Sequence, residues 1–219
     1  MSSLTELYDR LTDRLRAAGD WIAPLGLRLL LAHEFYSAGM MKAGVDGGAP
    51  GWFAGKDFPV PFGLFPANMN WNMLYMTEIL AGLALAFGLF TRFFAFSLVI
   101  VTTVAIVSTH WPDSYDSLAE LWKGYVVSGD GFGNFRIPAL FLAMLVPLLF
   151  MGGGKLSIDH LILKLTQRSD LIHDRKGDFF TLSLALLVPG IVFIYLIPLW
   201  GIVLLLGAIG AAVYQKVAA

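Results

Sequence analysis

The sequence predicts an all-α membrane protein: a polytopic four-helix bundle followed by a C-terminal transmembrane hairpin, with both termini in the cytoplasm. Three observations predict it. Apolar residues make up 57% and charged residues 14%, where soluble domains have about 45–50% and about 25%, and the mean hydropathy is +0.70. Four apolar segments of near-spanning length are followed by a longer fifth. Basic residues divide unequally between the loops these segments define.

Composition also excludes function classes. The chain has no cysteine, so thiol–disulfide chemistry, Cys-ligated zinc and iron–sulfur clusters are out of reach. A net charge of −1 lacks the basic face that nucleic acid requires. The first 20 residues are charged and hold no apolar h-region, so they do not read as a signal peptide.

Residues 1–20 read as an interfacial amphipathic helix. Leu4, Leu7, Leu11 and Leu15 recur at helical spacing, with Arg10, Asp13 and Arg14 on other faces, and Ser3 with Glu6 has capping-box spacing. Residues 21–165 form the main domain. Its apolar segments lie at about 21–41, 71–90, 92–111 and 136–151, each near the roughly 17–25 residues needed to cross a bilayer. Thr91-Arg92 is read as the whole connection between the second and third, making them antiparallel neighbours. Residues 43–70 hold Trp52-Phe53, Phe58-Pro59-Val60-Pro61-Phe62 and Phe65-Pro66, and residues 112–135 hold Trp122, Tyr125 and a glycine-rich turn over 129–133. Aromatics interleaved with prolines predict loops that pack on the bundle. Gly152-Gly153-Gly154 stops the fourth helix, and Ser157 caps a short helix with Asp159 in its first turn.

Residues 166–219 form a linker and the C-terminal hairpin. The apolar stretch Phe179 to Tyr214 is broken by Pro189, Pro198 and Gly201, which predicts a hairpin turning near residues 197–201; a single tilted helix is the alternative. With the N-terminus inside, ten basic residues fall in the cytoplasm (Arg10, Arg14, Arg16, Arg92, Lys155, Lys164, Arg168, Arg175, Lys176, Lys216) and four outside (Lys42, Lys56, Lys123, Arg136). The positive-inside rule therefore favours this orientation.

Ionisable residues within apolar segments cost a few kcal/mol each and are usually paired and functional. The first segment carries Arg28, His33 and Glu34, with Lys42 at its edge, and the second carries Glu78. Glu34 and Glu78 each lie seven residues from an outer end, roughly 10 Å deep by the helical rise, and His110 with Trp111 stands at the outer end of the third. These residues predict an outward-facing polar pocket of Arg28, His33, Glu34, Lys42, Glu78, His110 and Trp111. Arg28 and Lys42, fourteen residues apart, share one face of the helix, and Arg28 also reads as a buried ion pair fixing helix register. Glu78 must be neutral, paired or in contact with water. Glu78, Gly82 and Ala86 form a stripe that lets helices approach closely. Met69, Met73 and Met76 share one helical face near Met40 and Met41, a thioether set suited to Cu(I), although methionine also fills irregular apolar gaps. His33 and His110 differ in depth by roughly 10 Å, which disfavours a bis-His haem site.

The order Leu27-Arg28-Leu29-Leu30, Gly39 and Lys42, Glu78, Gly88-Leu89-Phe90-Thr91-Arg92, then Gly152-Gly153-Gly154-Lys155-Leu156-Ser157-Ile158-Asp159, resembles the DoxX family. Trp52-Phe53, the proline-rich run 58–66, Asn70-Trp71 and His110-Trp111-Pro112 resemble its HvfX-type branch. The resemblance covers about residues 20–165 and implies a four-helix inner-membrane unit. It implies an accessory role in maturing copper-binding modified peptides, or in copper and oxidative stress protection. The partners would be the bilayer, a modified peptide or its maturation enzymes. An alternative is a membrane subunit of a quinone-linked oxidoreductase, with Arg28 or His33 as donor to a quinone, Glu78 as proton partner and a separate redox partner. A small-molecule or metal transporter is another. The residues leave the ligand open between copper and a quinone. Arg28, Lys42, Glu78 and Asp159 map onto the family pattern; His33, Glu34 and the methionines do not.

Overall fold

A computed structural model describes residues 3–125, 133–168 and 178–218. Among them the regular secondary structure is all helical, with no strand. Residues 129–132 of the expected turn, the side chain of Ser3, and the linker bearing Arg175 and Lys176 lie outside the described residues.

The first helix, α1, runs unbroken over Ser3–Ala43. No break marks residue 20, where an interfacial helix was expected to give way to a span. Pro24 lies inside it and cannot donate to the carbonyl of Asp20, four residues earlier. The backbone N–H of Lys155 donates to that carbonyl instead, at 3.3 Å. Gly154 makes this approach feasible, because a Cβ there would lie 2.8 Å from Pro24 Cβ. A loop far along the chain thus repairs the helix at its proline.

After a short turn of helix, α2 (Gly51–Ala54), come α3 (Ala67–Phe87) and α4 (Thr91–Ala105). α4 continues as a π-helical turn over Ile106–His110. The connection between α3 and α4 is residues 88–90 rather than Thr91-Arg92, since Gly88 (φ 65°) ends α3 in the left-handed region and Phe90 (φ 46°) precedes α4. Then follow α5 (Leu118–Leu121), α6 (Arg136–Met151) and α7 (Ile158–Leu165). Ser157 caps α7 as the sequence predicts, its Oγ accepting from His160 N at 3.1 Å.

α1, α3, α4 and α6 close a ring: α1 packs on α3 and α6, and α4 packs on the same two. Leu31, Phe35, Leu85, Leu98, Val99, Leu145 and Leu148 fill its centre, and Phe35 meets Phe141 with ring centres 5.3 Å apart. On one side of the ring stand α8 (Phe179–Leu196) and α9 (Pro198–Ala218), a tight antiparallel pair joined at Ile197. The hairpin reading therefore holds and the single tilted helix does not. Among the described residues three helices are long and apolar enough to cross a membrane: Thr91–His110, Phe179–Leu196 and Pro198–Val217. α6 is a shorter apolar helix.

Candidate functional site

Two buried polar centres tie the ring together, one near each end. The first gathers around Arg28, whose side chain is fully buried. Its Nη1 donates to the carbonyls of Leu85 (3.0 Å) and Ala86 (3.2 Å), and its Nη2 donates to Leu156. The last carbonyls of a helix lack intrahelical donors and carry the negative end of its dipole. Arg28 supplies both donors and charge to the end of α3. Asp159 does the converse for α4, accepting from Phe90 N at 2.7 Å and Thr91 N at 2.8 Å, while its own N–H donates to Gly88 at 2.9 Å. Gly88 must lack a side chain, since a Cβ would lie 2.5 Å from Arg28 Nη1 and from Ser157 Cβ. The three family-like segments thus form one clasp. Arg28 is bound to main-chain carbonyls rather than to a carboxylate: both of its Nη groups are committed, while its buried Nε has no partner among the described residues.

The second centre is an ion pair between α1 and α3. Lys42 Nζ donates to both oxygens of Glu78, at 2.8 and 2.7 Å. The Glu78 side chain is 7% exposed and that of Lys42 23%. Close helix approach makes the pair: a Cβ on Gly39 would lie 3.0 Å from Glu78 Cβ, and one on Gly82 would lie 2.9 Å from Tyr36 Cβ. The small-residue stripe expected below Glu78 is therefore used as predicted. Pairing answers the question raised by a lone acid in an apolar segment.

The other residues of the expected pocket are not brought to this pair. His33 and Glu34 are exposed on the face of α1 that turns away from α3. Gly39 is the α1 residue opposite Glu78, so Glu34 lies about 7 Å further toward the Arg28 end by the helical rise, not at Glu78's depth. His110 closes the π turn, where its carbonyl accepts from Asn134 N at 2.9 Å. Trp111 packs on Phe135 with ring centres 4.9 Å apart. Neither quinone donor considered from the sequence stands beside Glu78: Arg28 is committed to carbonyls and His33 faces outward.

Met69, Met73 and Met76 line one flank of α3, with Met69 and Met76 exposed by about half. Their sulfur chemistry suits Cu(I). They extend over about 10 Å of helix, however, which keeps all three from converging by local geometry. Among the described residues no group of three or more His, Asp or Glu could hold a metal. The donors match copper in kind but do not form a built centre.

A further polar feature lies in the folded cap made by residues 44–66. Phe53 is buried against Trp71 (4.9 Å between ring centres) and Phe58 (4.8 Å). Asn70, in the first turn of α3, donates from Nδ2 to Phe62 O at 2.9 Å, while its buried Oδ1 has no partner. Asn70 borders a cavity of 270 Å³ together with Lys56, Asp57, Phe58 and Phe65. Lys56 lies close enough to His110 for their charges to interact. From the α8–α9 side, Tyr195 Oη donates to Val60 O at 3.0 Å. Asn70 was visible in the sequence only as part of an Asn-Trp pair. Nothing at that level shows that its amide is half satisfied.

Long apolar helices enclosing buried, tethered charges define an α-helical membrane protein. Residues 23–111 match the DoxX family model, a stretch that includes Arg28, Lys42, Glu78 and Gly88. An uncharacterized protein of Haemophilus influenzae is 36% identical over 153 residues, covering 69% of this chain and 90% of that protein. The chain belongs to the DoxX family. No solved structure matches it.

Proposed function

We propose that this DoxX-family protein is an accessory factor of the bacterial inner membrane. In this reading it receives a small polar ligand or peptide segment at its outer cap, in the maturation of copper-binding modified peptides or in protection against copper and oxidative stress. The cap cavity carries the proposal. Lys56 and Asp57 place opposite charges on its wall without forming an ion pair together, and Asn70 adds an unpartnered acceptor. A peptide offers the matching groups: carboxylate, ammonium and amide N–H. Trp52-Phe53 and the proline-rich run, the segments that resemble the HvfX-type branch, build this same cap. Copper belongs here to the peptide or the stress, not to a resident centre.

The cap faces outward if the N-terminus is inside, the orientation that the ten-to-four division of basic residues favours. α1, α3, α4, α6 and the hairpin then make six crossings with both termini in the cytoplasm. The test is gene deletion, read by copper tolerance and by the mass of the secreted peptide. Lowered tolerance or unprocessed peptide, restored by the intact gene but not by Lys56→Ala/Asp57→Ala, is the expected result. Wild-type tolerance together with normal processing would reject the reading.

A further inference from the structure

His33 and Glu34 stand where a lone chain ought not to put them. Both are exposed, on the face of α1 opposite the ring core. Their level is set by their neighbours. Arg28 binds the end of α3 at Leu85 and Ala86, Tyr36 meets Gly82, and Gly39 meets Glu78. His33 and Glu34 therefore sit between the two ends of the ring, a depth that lipid chains surround in the six-crossing arrangement proposed above, on which this inference rests. Ionisable residues at such depth face a bundle interior or a water-filled cavity, because lipid offers them no partner. Here neither has a hydrogen-bonding or ion-pair partner among the described residues.

The strip around them has the character of a helix contact. Leu30 lies one turn below, with Ser37 and Met41 above, all exposed. Gly26 continues the same line, and a Cβ there would meet nothing within 4 Å. A glycine inside a helix costs about 1 kcal/mol relative to alanine, and nothing among the described residues requires it. Small residues at helix contacts in membranes let a second backbone come close.

We propose that the protein pairs with a second copy of itself through this strip of α1, His33 of each copy donating to Glu34 of the other. The charge pattern is self-complementary. A two-fold axis along the membrane normal sets the two α1 helices side by side and parallel, so each His33 faces a Glu34 only one residue, about 1.5 Å, from its own level. Two reciprocal pairs then take four ionisable groups out of lipid. A different membrane subunit would need its own matching acid and base at this depth.

The absence of native cysteine permits a direct test on the full chain in its membrane. Ser37→Cys should yield a disulfide-linked species of twice the chain mass on mild oxidation. Added to it, His33→Glu or Glu34→His should reduce that yield at least tenfold, and the exchange His33→Glu/Glu34→His should restore it. The apolar variant His33→Phe/Glu34→Leu, which inserts without charge, should still insert and lose the cross-link. A monomeric Ser37→Cys protein, an adduct to a different protein, or cross-linking indifferent to all four charge variants would overturn the proposal.

Discussion

At the scale of single residues, buried charge does two different jobs. Arg28 and Asp159 meet main-chain groups at helix ends, whereas Lys42 and Glu78 meet each other. Breaking one member of a buried pair strands the other, at about 3–5 kcal/mol. Lys42→Met should therefore destabilise the protein by about that amount in denaturant titrations in detergent. Lys42→Met/Glu78→Gln should recover most of the loss, because no charge is then left unpaired. Equal effects of the single and double variants would show that the pair is not coupled. The sequence marked both residues as costly but did not join them, since 36 positions separate them and only the Gly39 crossing brings them together. For Arg28 it anticipated a carboxylate. Carbonyls at the end of α3 serve equally well, and they are invisible until a helix end is placed beside the guanidinium.

At the scale of elements, local signals were read well where they act locally. Ser157, Gly152 and Pro198 operate within a few residues, and α6, α7 and the hairpin begin and end as they require, whereas Pro189 lies inside α8 and Gly201 inside α9 without breaking either. The interruption expected at residue 20 failed because Pro24 acts at a distance: its missing donor is replaced from residue 155. The hairpin shows how tightly two helices are matched. A Cβ on Gly201 would run into the backbone of Ile194, and one on Gly190 would lie 2.8 Å from Leu205. At the other end Phe179 meets Tyr214 edge to face with ring centres 4.5 Å apart, and its N–H reaches Gln215 at 3.0 Å. Gly201→Leu should force α8 and α9 apart. Cysteines placed at Leu186 and Gly207, which approach one another across the pair, should cross-link in the parent and not in the Gly201→Leu protein.

At the scale of the whole molecule, the ring and the hairpin meet at the cap of residues 44–66, where Tyr195 reaches Val60. This contact was out of reach of the sequence, because it joins positions 135 apart. The expected pocket failed for a similar reason. His33, Glu34 and Glu78 shared an estimated depth, but depth along a helix does not fix the direction a side chain takes, and His33 and Glu34 point away from Glu78. Orientation remains testable on the cysteine-free chain. A cysteine at Gly47 in the cap should react with an impermeant maleimide in intact cells, and one at Lys216 only after lysis; the opposite pattern would invert the molecule.

The Asp159 clasp also sets a timetable for biogenesis. The amides of Phe90 and Thr91 receive their acceptor from a residue about 70 positions downstream. While the ribosome is still making α6, the junction between α3 and α4 has no Asp159, the guanidinium of Arg28 lacks the carbonyl of Leu156, and Asp20 lacks its donor from Lys155. One short stretch, 155–159, delivers all three. The junction of α1, α3 and α4 therefore lacks these three contacts until that stretch emerges, and its closure is left to a segment made after all four ring helices.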